Sequence, residues 1–425
     1  KNMGRTSRIR NRLVRIVHSR PLRIDSHSEF VELCKWMSAN GWNAVSKNCL
    51  VTKPALFNST GRGLMAMSNI APNHLLVQIP QSLLITKEKV LAEISDLLQF
   101  SMTTAECLTF FILNSKFNGL YSSYISTLPK SFSVGGLCKS QEIAALPSFL
   151  QEKIMCNQNF VLKKYEKIFA IWRKIYGSTL SLELFQWAWF CVNTRAVFYQ
   201  DSKQHSHGLN KVDGMENNMA LAPYLDMFNH DAEVVVEAGF NKTTQCYEIR
   251  SDRHIKKYQQ VFINYGPHDN MKLFLEYGFL ATKNLHKAVE FDIDVLFDLV
   301  LGCPSKPCCL QTKQIALLRQ LSKMGNLFCS QEGFSWNAQI ALTMISFNDT
   351  QLSKKFCSPL EIIPDEKQIN VLGRKLVNYL IVKLRESLNQ AHRIPPDYSS
   401  SSFDVAKLLM EDMINILVDC ILVTE

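Results

Sequence analysis

The sequence predicts an α+β fold: a β-rich core split by a long helical insert and followed by an all-α C-terminal domain. Three observations point there. Between residues 49 and 85, and again between 218 and 286, short apolar stretches are cut by glycine, proline and asparagine, the punctuation of short strands. Between 87 and 217 apolar residues recur at i, i+3 and i+4, the period of a helix buried on one face. From about residue 288 the helical period resumes and continues to the end.

The elements come in order. Residues 1–26 are a basic arm. Lys1, Arg5, Arg8, Arg10, Arg12, Arg15, Arg20 and Arg23 carry most of the chain's net charge of +9, and no acid precedes Asp25. Three readings stay open for it: a solvated tail, a nuclear-targeting or nucleic-acid-touching segment, and a mitochondrial presequence in which Ile9, Leu13, Ile16 and Val17 sit among the arginines. Residues 27–86 form the first part of the core. Phe30, Leu33, Cys34 and Met37 mark a short helix ended near Gly41. A strand at Gly61-Arg62-Gly63-Leu64 and beyond, a turn at Ala71-Pro72-Asn73, and a buried strand over 75–80 ended by proline come next. Residues 87–217 are the insert, with helices over 105–113, 150–175 and 182–198 and a polar loop over 201–218. Residues 218–286 return to strands: 234–240 and 245–250 flank Asn241-Lys242-Thr243-Thr244 as a hairpin, and 260–265 ends at Gly266-Pro267. Residues 287–425 are helical, with Leu372, Leu376, Leu380 and Leu384 on one stripe.

Composition narrows the class. A chain of 425 residues suggests two to three domains at about 150 residues each. Hydrophobic residues at 47% and charged ones at 20% exclude wholesale disorder. No apolar run approaches the ~18 residues of a membrane span, so no membrane partner is expected. The thirteen cysteines include no Cys-x-x-Cys, and Cys303, Cys308 and Cys309 are the only cluster. Reduced thiols, no metal site and a nuclear and cytosolic location are expected.

Each local motif admits a bland and a functional reading. Gly61-Arg62-Gly63 suits either a ligand approaching the backbone or a bulge or tight turn. Asn229-His230 ends the apolar run 222–228, as a cap or as a pair of ligand-facing side chains. Tyr265 and Tyr277 suit core tyrosines as well as a site. Arg195 in an apolar helix is less bland, since a buried guanidinium needs acceptors for five donors.

The order of the motifs is the stronger signal. Gly61-Arg62-Gly63-Leu64, Asn193-Thr194-Arg195-Ala196-Val197, Tyr224-Leu225-Asp226-Met227-Phe228-Asn229-His230, Phe262-Ile263-Asn264-Tyr265-Gly266 and Leu275-Glu276-Tyr277-Gly278-Phe279 succeed one another along the chain. This resembles the SET-domain methyltransferases, and within them the branch typified by the Rubisco large-subunit lysine methyltransferase. The resemblance runs from about residue 27 to the C-terminus, tight in the two β segments and loose in the tail. It implies a knot-like SET core, an exception to unknotted topology, with S-adenosylmethionine as cofactor and a C-terminal substrate-binding domain. Backbone groups of Gly61, Arg62, Gly63 and Leu64 would hold the cofactor. Arg195 would contact its carboxylate, and Asn229 and His230 its adenosine and amino-acid portions. Asp226 would join them, Phe279 would pack beside the adenine, and Tyr265 and Tyr277 would stand at the methyl-transfer site as the catalytic pair. Thr60 stands where several relatives carry an acid, so that contact would come from elsewhere or be weaker. Val197 stands where a histidine-methylating relative has asparagine.

The chemistry this resemblance implies is methyl transfer to a lysine amine of a protein substrate, a histone tail or another protein, by a monomer that touches nucleic acid only indirectly. A lysine amine titrates near ~10.4, so deprotonation at neutral pH costs roughly 4 kcal/mol. A narrow apolar channel beside a sulfonium lowers that pKa. Phenols and carbonyls then orient the amine without acting as strong bases. The alternatives are a protein-histidine methyltransferase and a non-catalytic peptide-binding scaffold.

Overall fold

The computed structural model describes residues 21–43, 50–199, 218–301, 312–347 and 359–423. Most of the basic arm, the polar loop 201–217 and the Cys303, Cys308 and Cys309 cluster lie outside the described residues. The chain forms two compact units: Lys1–Ser131 with Lys164–Gly266, and Phe132–Lys163 with Pro267–Glu425.

The first unit holds strands β1 (Leu22–Arg23), β2 (Thr52–Phe57), β3 (Gly61–Ala66), β4 (Leu75–Pro80), β5 (Val197–Phe198), β6 (Met219–Ala220), β7 (Asn229–His230), β8 (Val236–Asn241), β9 (Cys246–Ser251) and β10 (Gln260–Ile263). One sheet has the order β1-β2-β3-β10-β7, a second β4-β9-β8, and β5 pairs β6. The second sheet is antiparallel throughout, with the expected hairpin closing between Asn241 and Cys246. Asn73 enters β4 from the left-handed region at φ 63°, which its short polar side chain tolerates.

Helix Thr104–Asn118 starts at a capping box between Thr103 and Glu106 and stops at Gly119, φ 74°. Glu106 also accepts from Lys164 at 3.1 Å and Lys167 at 2.6 Å, tying this helix to the later half of helix Ser148–Tyr176. Helix Leu182–Arg195, capped by Ser181, stops three residues short of its expected end. Val197 and Phe198 pair instead with Ala220 and Met219, and a β-branched residue at the exit favours that turn into strand.

The second unit is mostly helical around a core of Leu376, Leu380, Leu384, Phe403 and Met410. The leucine stripe holds, with Leu372 half-buried and the other three buried. The expected all-helical tail is interrupted: β11 (Val289–Glu290), β12 (Phe328–Ser330) and β13 (Gly333–Phe334) form a small antiparallel sheet. Strands of two or three residues are too short to display a period of two. A Cβ on Gly373 would meet the Phe334 ring at 2.5 Å, so helix Glu366–Ala391 approaches β13 through a gap only glycine leaves.

Candidate cofactor and methyl-transfer site

The first unit gathers its site residues where β3, β10 and β7 meet. β10 pairs β3 antiparallel and β7 in parallel, with Phe262 opposite Asn229 and Ile263 opposite His230. This brings the Asn229 amide over the start of β3, where its Nδ2 donates to the carbonyls of Arg62 at 3.0 Å and Thr60 at 3.4 Å. Gly61 has φ 67°, a left-handed conformation that glycine adopts freely. Gly63 matters for another reason: a Cβ there would lie 2.8 Å from Asn229 Nδ2 and 2.5 Å from Gln260 Nε2, so both amide ends would have to shift. Leu64 is fully buried and offers only its backbone.

Thr60 donates its hydroxyl to Gln260 Oε1 at 2.6 Å. Gln260 therefore lies over the glycine turn, a neighbour that none of the motifs contains.

Arg195 ends its helix beside this turn. Its Nη1 donates to the Asp226 carbonyl at 2.5 Å, while its buried Nε has no hydrogen-bond partner among the described residues. Arg62 faces it: burial and then the Arg195 charge lower the Arg62 pKa. Arg62 also stands 5.7 Å over the Phe30 ring. Asp226 lies in the 3₁₀ turn Leu225–Met227, and its carboxylate accepts from the Tyr124 hydroxyl at 2.9 Å. Burial raises the Asp226 pKa, against the pull of Arg195, Tyr124 and Arg62.

The turn is entered through Tyr224, a fully buried residue at φ 71°, ψ −46°, a strained conformation for a bulky side chain. Its hydroxyl donates to the Thr52 carbonyl at 2.8 Å and its ring lies 5.0 Å from Trp42. His230 is buried, and its Nδ1 accepts the Tyr265 backbone N–H at 3.1 Å, which assigns the proton of a neutral ring to Nε2. The Tyr265 hydroxyl donates to the Phe228 carbonyl at 2.6 Å, and burial pushes its pKa up to about 12.

Tyr277 and Phe279 belong to the second unit. Tyr277 ends the π-helical turn Leu273–Tyr277, closed by Gly278 at φ 80°, and such turns concentrate at functional sites. A Cβ on Gly278 would meet the Ser133 carbonyl carbon at 2.7 Å. The Tyr277 ring stacks on His268 at 5.9 Å and meets Phe279 edge-on at 6.2 Å. Behind it, Asn270 Nδ2 donates to Asp412 Oδ2 at 2.7 Å, Asn284 Nδ2 donates to Asn270 Oδ1 at 3.0 Å, and Lys287 pairs with Asp412. Among the described residues no group of acids, histidines and cysteines could hold a metal, and no helix is long and apolar enough to cross a membrane.

Two short β segments separated by a helical insert, with a glycine turn and an Asn-His strand end paired across one strand, define a SET fold. Residues 61–266 match the model of the SET domain. The chain is 32% identical over 387 residues to SET domain-containing protein 4 of Mus musculus, covering 87% of this chain and 84% of that one. It is 28% identical over 243 residues to ribosomal lysine N-methyltransferase set11 of Schizosaccharomyces pombe, covering 56% and 58%. Its fold matches a solved structure of Rubisco LSMT bound to sinefungin and monomethyllysine with a TM-score of 0.62 at 15% identity, over 93% of this chain and 91% of that one. The chain belongs to the SET-domain family.

Proposed function

We propose that this protein transfers a methyl group from S-adenosylmethionine to the side-chain amine of lysine in a protein substrate. The observation that carries the reading is the β3–β10–β7 junction. It gathers Gly61–Leu64, Arg195, Asp226, Asn229, His230 and Tyr265, spread over some two hundred residues of sequence, around one strand end. The lysine specificity named in set11 supports the substrate class, and a solved structure of Rubisco LSMT bound to AdoMet supports the cofactor.

The residues fit that cofactor. The buried Arg195 Nε lacks an acceptor among the described residues, which an anionic carboxylate supplies. Gly63 holds a backbone surface where any side chain would strike Asn229. When bound, S-adenosylmethionine supplies a methyl on a cationic sulfur, so the protein needs no covalent nucleophile of its own. Arg195 and Asn229 bind and orient. Tyr265, its pKa near about 12, is a neutral phenol at physiological pH and orients the incoming amine rather than deprotonating it. His230 Nδ1 is committed to the Tyr265 backbone and is not a base for that amine. The amine therefore loses its proton to solvent, at a cost of roughly 4 kcal/mol that burial reduces. Val197 presents only hydrocarbon, which favours an aliphatic amine over an imidazole needing a hydrogen-bond partner.

Methyl transfer from labelled S-adenosylmethionine into nuclear and cytosolic protein extracts, with modified sites identified by mass spectrometry, tests the reading. Methylated lysine is expected, and methylated histidine alone would overturn it. The cofactor at ~100 times its dissociation constant should add about 2.7 kcal/mol of stability. No thermal shift would favour a scaffold.

A further inference from the structure

We propose that Tyr124 is a positioning residue of the cofactor site, acting through its hydrogen bond to the Asp226 carboxylate. The proposal deepens the function proposed above and rests on it only where cofactor affinity is concerned.

Tyr124 is fully buried on the short helix Ser122–Ile125, and its hydroxyl lies 2.9 Å from Asp226 Oδ2 across 102 residues of sequence. Asp226 is thus held twice. Its backbone carbonyl takes Arg195 Nη1 and its carboxylate takes Tyr124. Three residues further on stands the Asn229 that holds the glycine turn. Among the described residues the carboxylate has no other side-chain hydrogen bond and no ion pair, although Arg195 and Arg62 face it. The remaining titratable groups around it are Tyr265 and Cys191.

A buried carboxylate with a phenol as its single side-chain partner is a poor device for stability, since burial penalises its charged form. An asparagine would fill the same space without that penalty. A buried acid retained here, beside Arg195 and Arg62 and bonded to Tyr124, points to a role in binding. The Tyr124 phenol fixes that carboxyl in orientation, and its hydrogen bond pulls the pKa down against the burial that raises it.

The test is a cycle of Tyr124→Phe, Asp226→Asn and the double variant. Phenylalanine keeps the ring, so packing is preserved. Affinity for S-adenosylmethionine by calorimetry should fall about tenfold in Tyr124→Phe, the size of one hydrogen bond to a charged group, with kcat changed far less than KM for the cofactor. In the Asp226→Asn background the same change should have no further effect.

A second readout needs no cofactor. Carbon-detected titration of the Asp226 carboxyl, assigned by its disappearance in Asp226→Asn, should move to higher pH in Tyr124→Phe. An unmoved titration overturns the proposal whether or not cofactor binds. Absence of cofactor binding in the unaltered protein overturns the proposed function instead, and the titration still decides whether Tyr124 governs Asp226. Equal affinities in the folded Tyr124→Phe and parent proteins, where the parent binds, also overturn the positioning role.

Discussion

The two sheets of the first unit are built on opposite terms. The β4-β9-β8 sheet is antiparallel, its strands run six residues each, and β8 and β9 are joined by a tight hairpin. The β1-β2-β3-β10-β7 sheet ends in a two-residue strand paired in parallel and entered through a left-handed tyrosine. The all-antiparallel sheet, with one register shift between Leu75 and Val77, presents no candidate cofactor residue, and the sheet with the parallel end presents most of them. Interrupted pairing frees side chains such as Asn229 to reach another segment's carbonyls, and so makes a cradle.

Identical substitutions in the two sheets break the comparison most directly. Gly63→Ala places a Cβ 2.5 Å from Gln260 Nε2 and 2.8 Å from Asn229 Nδ2. Methyl transfer should fall about a hundredfold, the cost of roughly an ångström of misplacement. Gly239→Ala in β8 meets nothing within 4 Å and should leave activity unchanged and stability within about 0.5 kcal/mol. Equal effects, measured by labelled transfer and thermal melts, would erase the distinction between the sheets.

Arg195→Ala comes next. Losing a charged donor should weaken cofactor binding by about 2 kcal/mol, read by calorimetry, and the melting curve of the free protein should also fall, because the Nη1 bond to the Asp226 carbonyl goes with it.

Glu106→Gln tests the helical scaffold outside the site. Burial pushes the Glu106 carboxyl up, but bonds from Lys167, the Thr103 backbone and Lys164 outweigh it and hold the pKa below the ordinary glutamate value. A depressed folded pKa stabilises above the unfolded value and loses that contribution as pH falls through the folded one. The substitution should cost about 2 kcal/mol at pH 7 and flatten the decline in stability below about pH 4.3. A pH series of denaturant midpoints reads both.

Tyr224→Phe is the smallest change. It removes the hydroxyl bonded to the Thr52 carbonyl and should cost about 1 kcal/mol, in the same melts.

Legibility in the chain divides along the same line. β3, β4, the 241–246 hairpin and the long helices announce themselves because each is long enough to show its period. β5, β6, β7 and β11 to β13 do not, because two or three residues carry no period and their pairing is decided by partners far away in sequence. The candidate site residues are proposed from the order of their motifs, not from any one of them. Tyr124 and Gln260 are not readable, for neither lies in a motif. Tyr124 meets Asp226 from 102 residues away and Gln260 meets Thr60 from 200. A tyrosine in an apolar stretch looks like core until its hydroxyl is seen on a carboxylate.

The bond from Tyr224 to Thr52 spans 172 residues, which has a consequence for synthesis on the ribosome. At about 5–20 residues per second, roughly 10–30 s pass between the emergence of the two partners. During that interval β2 and β3 have neither β10 nor Tyr224 to close on, and stand as an open edge suited to pairing with another nascent chain. The core therefore closes only after the insert has been made.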